Sequence, residues 1–177
     1  MKMFTRYALL IAVICGFSSA SLAETKIAIV DIQKIMREST AAKSVRSQLE
    51  TKQKGYQSEI KKKEEAMQKE EKSLAGQRAT LSPDAFEKKV LAFRKKATDT
   101  QKDVQKKKAA LDGGFEKALN NIQKVVNEII TDLAKSKGFN VAIPSGQLLY
   151  AEPSMDITND VLTQLNKKLP KVTVSFQ

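Results

Sequence analysis

The chain of 177 residues has no histidine, no tryptophan and a single cysteine, Cys15. Cys15 lies in an N-terminal apolar stretch that reads as a removable leader, so the remaining chain has neither thiol nor imidazole. That excludes disulfides, the usual nucleophile–base pairs and the common zinc sites. Neither G-x-x-x-x-G-K-[ST] nor G-x-G-x-x-G occurs, so no nucleotide-driven work is expected. The 20 acidic residues alternate with lysines along helical stretches, where solvated pairs four residues apart explain them better than an acid–base dyad. The sequence therefore shows no catalytic site, no metal site and no cofactor.

Residues 1–23 read as a secretory signal peptide. Lys2 and Arg6 form its basic start, Ala8 to Phe17 its apolar core, and Ser21-Leu22-Ala23 the small-residue cut site before Glu24. The apolar run is about half the roughly 20 residues a membrane anchor needs. Export into an oxidising compartment suits a chain without thiols.

Charge is the next signal. The formal net charge is +11, and +9 without Lys2 and Arg6. Residues 37–108 hold 20 Lys or Arg against 11 Asp or Glu, which accounts for all of that +9; residues 24–36 and 109–177 are each balanced. Such separation indicates two regions with different tasks. The sequence assigns 41–111 to a helical arm with its tip near 76–83, and 24–40 with 112–177 to a small oligomerising body.

KIAIV at 26–30 has the Ile and Val content of a buried strand. From Ala41 to Gln77 there is no proline, and besides Gly55 the only glycine is Gly76 at its very end, in a composition rich in Lys, Glu, Gln and Ala, which predicts a long helix. Its larger apolar residues, Val45, Leu49, Tyr56, Ile60, Met67 and Leu74, form a stripe wide enough for one partner helix. Val45, Tyr56 and Met67 lie eleven residues apart, which argues against a tight left-handed supercoil there. Ser82 and Pro83 are a cap and first-turn residue for a second helix, which Gly138 ends. Val90, Ala97, Val104, Leu111, Ala118 and Val125 recur every seven residues along it, with Phe86 and Phe93 in the complementary position. The two helices are expected to form an antiparallel coiled-coil hairpin with Gly113-Gly114 as a bend or close contact. The second overshoots the first into a wide apolar face from Phe115 to Leu133.

FNVAI (139–143) and QLLYA (147–151), joined by Pro144-Ser145-Gly146, read as a strand pair. Asp156 or Thr158 then caps a short helix with Val161, Leu162 and Leu165 inward. The fold class expected is α+β, mainly α: a small β-rich trimerisation body with one long helical-hairpin arm per chain. So small a core leaves apolar edges open. Association is assigned to Ile27, Ile29, Ile129, Ile130, Val141, Ile143 and Leu149.

The basic clusters Lys61-Lys62-Lys63, Arg94-Lys95-Lys96 and Lys106-Lys107-Lys108 are the remaining functional signal. They attract acidic polymers with little geometric preference, while lysine stems lie against apolar groups. A solvated exterior that only confers solubility is the competing explanation. Met67, Leu74 and Leu81 are candidates for apolar contact near the arm ends, with hairpin packing as the alternative role.

The order of parts resembles the Skp (OmpH-like) periplasmic chaperones. The most specific pieces are Ile27-Ala28-Ile29-Val30-Asp31 and Asp156-Ile157-Thr158 followed by Val161-Leu162. The resemblance implies a periplasmic homotrimer whose arms enclose a cavity that holds unfolded outer-membrane proteins without ATP. The charge alone also permits an exported binder of anionic polymers such as lipopolysaccharide, an anionic membrane surface or nucleic acid. Export and the lack of aromatic stacking platforms argue against specific nucleic-acid binding.

Overall fold

The computed structural model describes residues 25–177; the leader assigned to 1–23 lies outside them. Strand β1 (Ile27–Val30) leads into helix α1 (Ile32–Glu38), α2 (Thr40–Gln77) and α3 (Pro83–Lys137). Strand β2 (Val141–Pro144), two 3-10 turns at Ser145–Gln147 and Pro153–Met155, and helix α4 (Thr158–Lys168) follow. Among the described residues no helix is long and apolar enough to cross a membrane.

The starts of α1, α2 and α3 are each met by a side chain. Asp31 Oδ1 accepts the Lys34 amide at 2.8 Å, Ser39 Oγ that of Ala42 at 3.2 Å, and Ser82 Oγ that of Ala85 at 3.4 Å. Pro83 occupies the first turn of α3, and Gly138, at φ +76°, ends it with its N–H donating to the Ala134 carbonyl. A side chain at that φ would be strained, which is why the stop falls on glycine. The start of α4 differs from expectation, because Ile157 stands at its N-cap without a side-chain cap. Asp156 Oδ1 accepts the Thr158 amide at 2.7 Å, while Thr158 Oγ1 accepts the Asp31 amide at 2.8 Å. Thr158 is thus spent on joining the starts of α1 and α4.

Helices α2 and α3 form an antiparallel hairpin in one unbroken register. Polar pairs cross it from Glu59 to Lys107, Lys63 to Asp103, Glu70 to Lys96 and Gln77 to Lys89. Every step up α2 between these pairs equals the step down α3, so no residue is gained or lost as far as the turn at 78–82. At 1.5 Å per residue α3 is roughly 80 Å long, against roughly 57 Å for α2. The excess of α3 runs through the core.

The buried apolar residues are Ala28, Ile29, Val30, Ile35, Ala41, Ala42 and Val45 at one end of the chain, and Ala118, Ile122, Val126, Ile129 and Leu133 on α3 with Ile157, Val161, Leu165, Val172 and Val174 at the other. Between Val45 and Gly114 no residue is buried; the hairpin's inward positions are only half-covered. On α3 the seven-residue spacing holds to Ala118. Beyond it the buried positions step to Ile122, Val126, Ile129 and Leu133, so Val126 rather than Val125 faces the core. A straight helix in a globular core follows the 3.6-residue period, not the heptad. Helix α3 passes through Gly113 and Gly114 without interruption. Gly114 is the close contact: a Cβ there would lie 2.7 Å from the Ser175 carbonyl oxygen.

The strand pair expected at 139–143 and 147–151 does not form. Strand β2 instead pairs in parallel with β1, from Ile27 opposite Val141 to Val30 opposite Pro144, while 147–151 is not a strand. The cause lies in the junction. Leu148 N–H donates to the Ser145 carbonyl at 3.1 Å, closing a 3-10 turn that carries the chain away from β2. Pro144, without an N–H, ends the ladder. The other edge of β1 is met by Ile157, whose N–H donates to the Ile29 carbonyl at 3.0 Å. The sheet therefore has two strands rather than three.

Candidate functional site

The three basic clusters are spread along the outside of the hairpin, each with a different balance of free and paired charge. Lys61, Lys62, Arg94, Lys95, Lys106 and Lys108 are exposed. None of the six is in an ion pair among the described residues. Lys63 and Lys96 are also exposed, but each reaches across the hairpin, to Asp103 at 2.6 Å and Glu70 at 2.5 Å. Lys107 is set apart. Its side chain is only 15% exposed and lies between Asp103 at 2.8 Å and Glu59 at 3.2 Å, with its ammonium 5.2 Å from the centre of the Tyr56 ring. It occupies a hairpin position that Phe86 and Phe93 fill nearer the tip. Nothing of it is left for a partner.

This polar layer has its own electrostatics. The ammonium groups of Lys107 and Lys63 hold the Asp103 carboxyl down at about 2, and hydrogen bonding to Asp103 raises the Lys107 ammonium above its usual value. A carboxylate whose folded-state pKa is depressed contributes its stability above the ordinary carboxylate range and loses it as pH falls through the folded-state value. Replacing Asp103 by asparagine should therefore lower the thermal midpoint of arm helicity by the same amount at pH 7 and pH 5. The difference should close between about pH 4 and pH 2, read by circular dichroism.

Apolar surface on the arm is sparse. Met67, Leu74 and Leu81 are half-buried, as are Phe86 and Phe93, at the inward positions of the hairpin. Leu91, 54% exposed, points off the stripe and was not singled out by the sequence. One signal could have found it: it sits one residue past the Val90 heptad position. Near mid-arm, Lys63, Lys95, Lys96 and Asp99 line an open groove of about 420 Å³ with Ala66, Ala92 and Thr100. Its small residues and lysine stems admit an apolar chain segment, with Lys95 the lysine of the three outside an ion pair among the described residues.

The residues assigned to association divide in two. Ile29 and Ile129 are buried in the chain's own core, and Ile130 and Ile143 are half-buried. Ile27 and Val141, partners across the β1–β2 ladder, are 37% and 42% exposed, and Leu149 is fully exposed. Tyr150, which the sequence did not point to, is 83% exposed beside Leu149. Two large apolar side chains held in water next to each other are unusual for a surface that meets only solvent.

No group of three or more candidate ligands that could hold a metal occurs among the described residues. A family model described as "Outer membrane protein (OmpH-like)" matches residues 26–165. A Skp-like protein of Pseudomonas aeruginosa is 29% identical over 94% of this chain and 99% of its own length. The chaperone protein Skp of Blochmanniella pennsylvanica is 30% identical over 81% of this chain and 87% of its own. Among solved structures, an OmpH-like outer membrane chaperone from Caulobacter crescentus superposes with a TM-score of 0.80 at 22% identity, over 86% of this chain and 90% of that one. At that identity the likeness shows the fold. The match covers both the β1 start and the α4 end of the chain, and the chain belongs to the OmpH-like outer membrane protein family.

Proposed function

We propose that the protein is a periplasmic, ATP-independent holdase for unfolded outer-membrane β-barrel proteins, working as a homotrimer whose arms bound a common cavity. The observation that carries this reading is the confinement of all nine net positive charges to 37–108 while the rest of the mature chain is balanced. Six of the cluster cations on that hairpin have no ion-pair partner among the described residues. A neutral mixture of lysine and glutamate would keep the arm equally soluble. Mobile ammonium groups with apolar stems over sparse apolar surface suit a partner without fixed shape, and relatives named as chaperones support the same reading. The protein is thus a chaperone and not an enzyme. The body's role is association, through Ile27, Val141, Leu149 and Tyr150. The free cations also favour lipopolysaccharide or an anionic membrane surface as a further ligand, with strong salt dependence.

Deleting 70–76 together with 90–96 tests the division of labour. These segments face each other, so the remaining pairs keep their register and the hairpin only shortens. The shortened protein should keep the oligomeric mass of the full chain and lose most of its ability to keep a urea-diluted β-barrel protein out of the pellet. Equal protection by both proteins would remove the arms from the function.

A further inference from the structure

Residues 170–177 lie beyond the family match, which ends at 165, and form an extended strap along the base of the hairpin. Burial alternates along it: Val172 and Val174 are buried and Phe176 is half-buried, while Lys171, Thr173 and Ser175 are exposed. Among the described residues no backbone–backbone hydrogen bond holds the strap. Its backbone is met by two side chains of α2 instead, with Ser44 Oγ donating to the Val172 carbonyl at 3.5 Å and Gln48 making the closer contacts. The Gln48 amide nitrogen donates to the Val172 carbonyl at 2.6 Å, and the Gln48 amide oxygen accepts the Val174 N–H at 3.1 Å. On the facing helix, Gly114 admits the Ser175 carbonyl where any side chain would collide.

Beyond Phe176 the groove continues along α2 as an open cavity of about 350 Å³, between Thr51, Lys52, Gly55, Tyr56 and Phe176. A Cβ added at Gly55 would meet nothing within 4 Å, and the Lys52 ammonium stands 4.7 Å from the Tyr56 ring centre and 5.8 Å from that of Phe176. The groove thus grips an extended backbone through an amide, takes apolar side chains at every second position, and has the Tyr56 ring at its far end. None of those contacts fixes a sequence.

We propose that this groove is a docking site for extended segments with alternating apolar residues, occupied in the resting chain by its own C-terminal strap. The occupant that fits is a strand of an unfolded membrane β-barrel, in which apolar residues alternate with polar ones and aromatics gather at the strand ends. The identification of that occupant rests on the holdase reading. Exchange is feasible because the strap is held by Gln48, Ser44 and three inward side chains, with no ladder to break.

The test uses the full-length protein with Phe176→Trp. The chain has no tryptophan, so emission reports the strap alone. The probe is an acetylated peptide, Thr-Val-Thr-Val-Thr-Phe, compared with Val-Val-Phe-Thr-Thr-Thr of the same composition. The alternating peptide should shift emission to the red saturably, and the block peptide should need about tenfold more, the effect of about 1.4 kcal/mol in binding. Gln48→Leu takes the same two hydrogen bonds from strap and peptide, so the peptide concentration needed should change little while the Val174 amide exchanges faster without peptide. Hydrogen exchange at the Val174 amide of the unsubstituted protein, which should quicken with peptide, guards against an effect of the tryptophan itself. Equal action of the two peptides, or emission and exchange unchanged at saturating peptide, overturns the proposal. Protection of an unfolded barrel with the strap still seated overturns it while leaving the holdase reading intact. Displacement by peptide without barrel protection removes the holdase reading and leaves the groove.

Discussion

Replacing Lys61, Lys62, Arg94, Lys95, Lys106 and Lys108 by glutamine should slow capture of an acidic unfolded β-barrel by at least about tenfold at low salt, within the range that electrostatic steering spans. These six are the cluster cations without an ion-pair partner, so the hairpin should keep its helicity. Glutamine and lysine also have nearly the same helix propensity. The Debye length is about 8 Å at physiological salt, so raising salt should bring wild type and variant together. Dissociation should change much less, because retention also involves lysine stems and apolar contact. Stopped-flow binding across a salt series reads both rates. The contrasting variant replaces Lys63, Lys96 and Lys107, which are tied into the hairpin; it should lower arm stability more than the on-rate. Equal on-rates for wild type and the six-fold variant at low ionic strength would mean that the free lysines serve solubility alone.

The body gives the second large effect. Leu149 and Tyr150 are exposed in the single chain, so changing both to aspartate should leave folding within about 0.5 kcal/mol of wild type. If they fill an interface between copies, each truncation at a central position removes about 2 kcal/mol or more of association. The pair should then convert the oligomer to folded monomer at micromolar concentration. Ile129→Asp must behave differently. Ile129 is fully buried in the chain's own core, and an unpaired charge there costs several kcal/mol, so the body should unfold rather than separate cleanly. Sedimentation combined with circular dichroism distinguishes the two; an intact oligomer after Leu149→Asp with Tyr150→Asp would move the interface elsewhere.

What the sequence revealed was what local chemistry decides. Ser82-Pro83 and Gly138 marked the ends of α3 because a cap, a first-turn proline and a left-handed stop act within a few residues. The hairpin was legible because its stripes run through stretches where, Leu91 apart, no other large apolar residue competes. The strand partner of β2 was not, since β1 lies more than a hundred residues away and only the return of α3 brings the two together. Leu148-Leu149-Tyr150 has strand composition, but the Ser145 turn and exposure decide its state, and composition does not report exposure.

Lys107 was read as one of three surface lysines. Its place seven residues after Thr100 and fourteen after Phe93 was the signal that it enters the hairpin seam, and the adjacent lysines masked it. The alternation of KVTVSFQ was equally visible, yet its partner is a glutamine amide and a glycine on two different helices, which no periodicity indicates. Of the functional surface, the charge distribution was fully legible. Which cations remain free depends on the hairpin register.

The central claim is that an oligomer of this chain holds an unfolded barrel without energy input. Native mass measurement after diluting a urea-unfolded β-barrel protein into the protein, with no nucleotide present, tests it directly. The expected result is a species of three chains with one bound barrel and little barrel in the pellet. A single-chain mass with the barrel sedimenting as it does alone would contradict it.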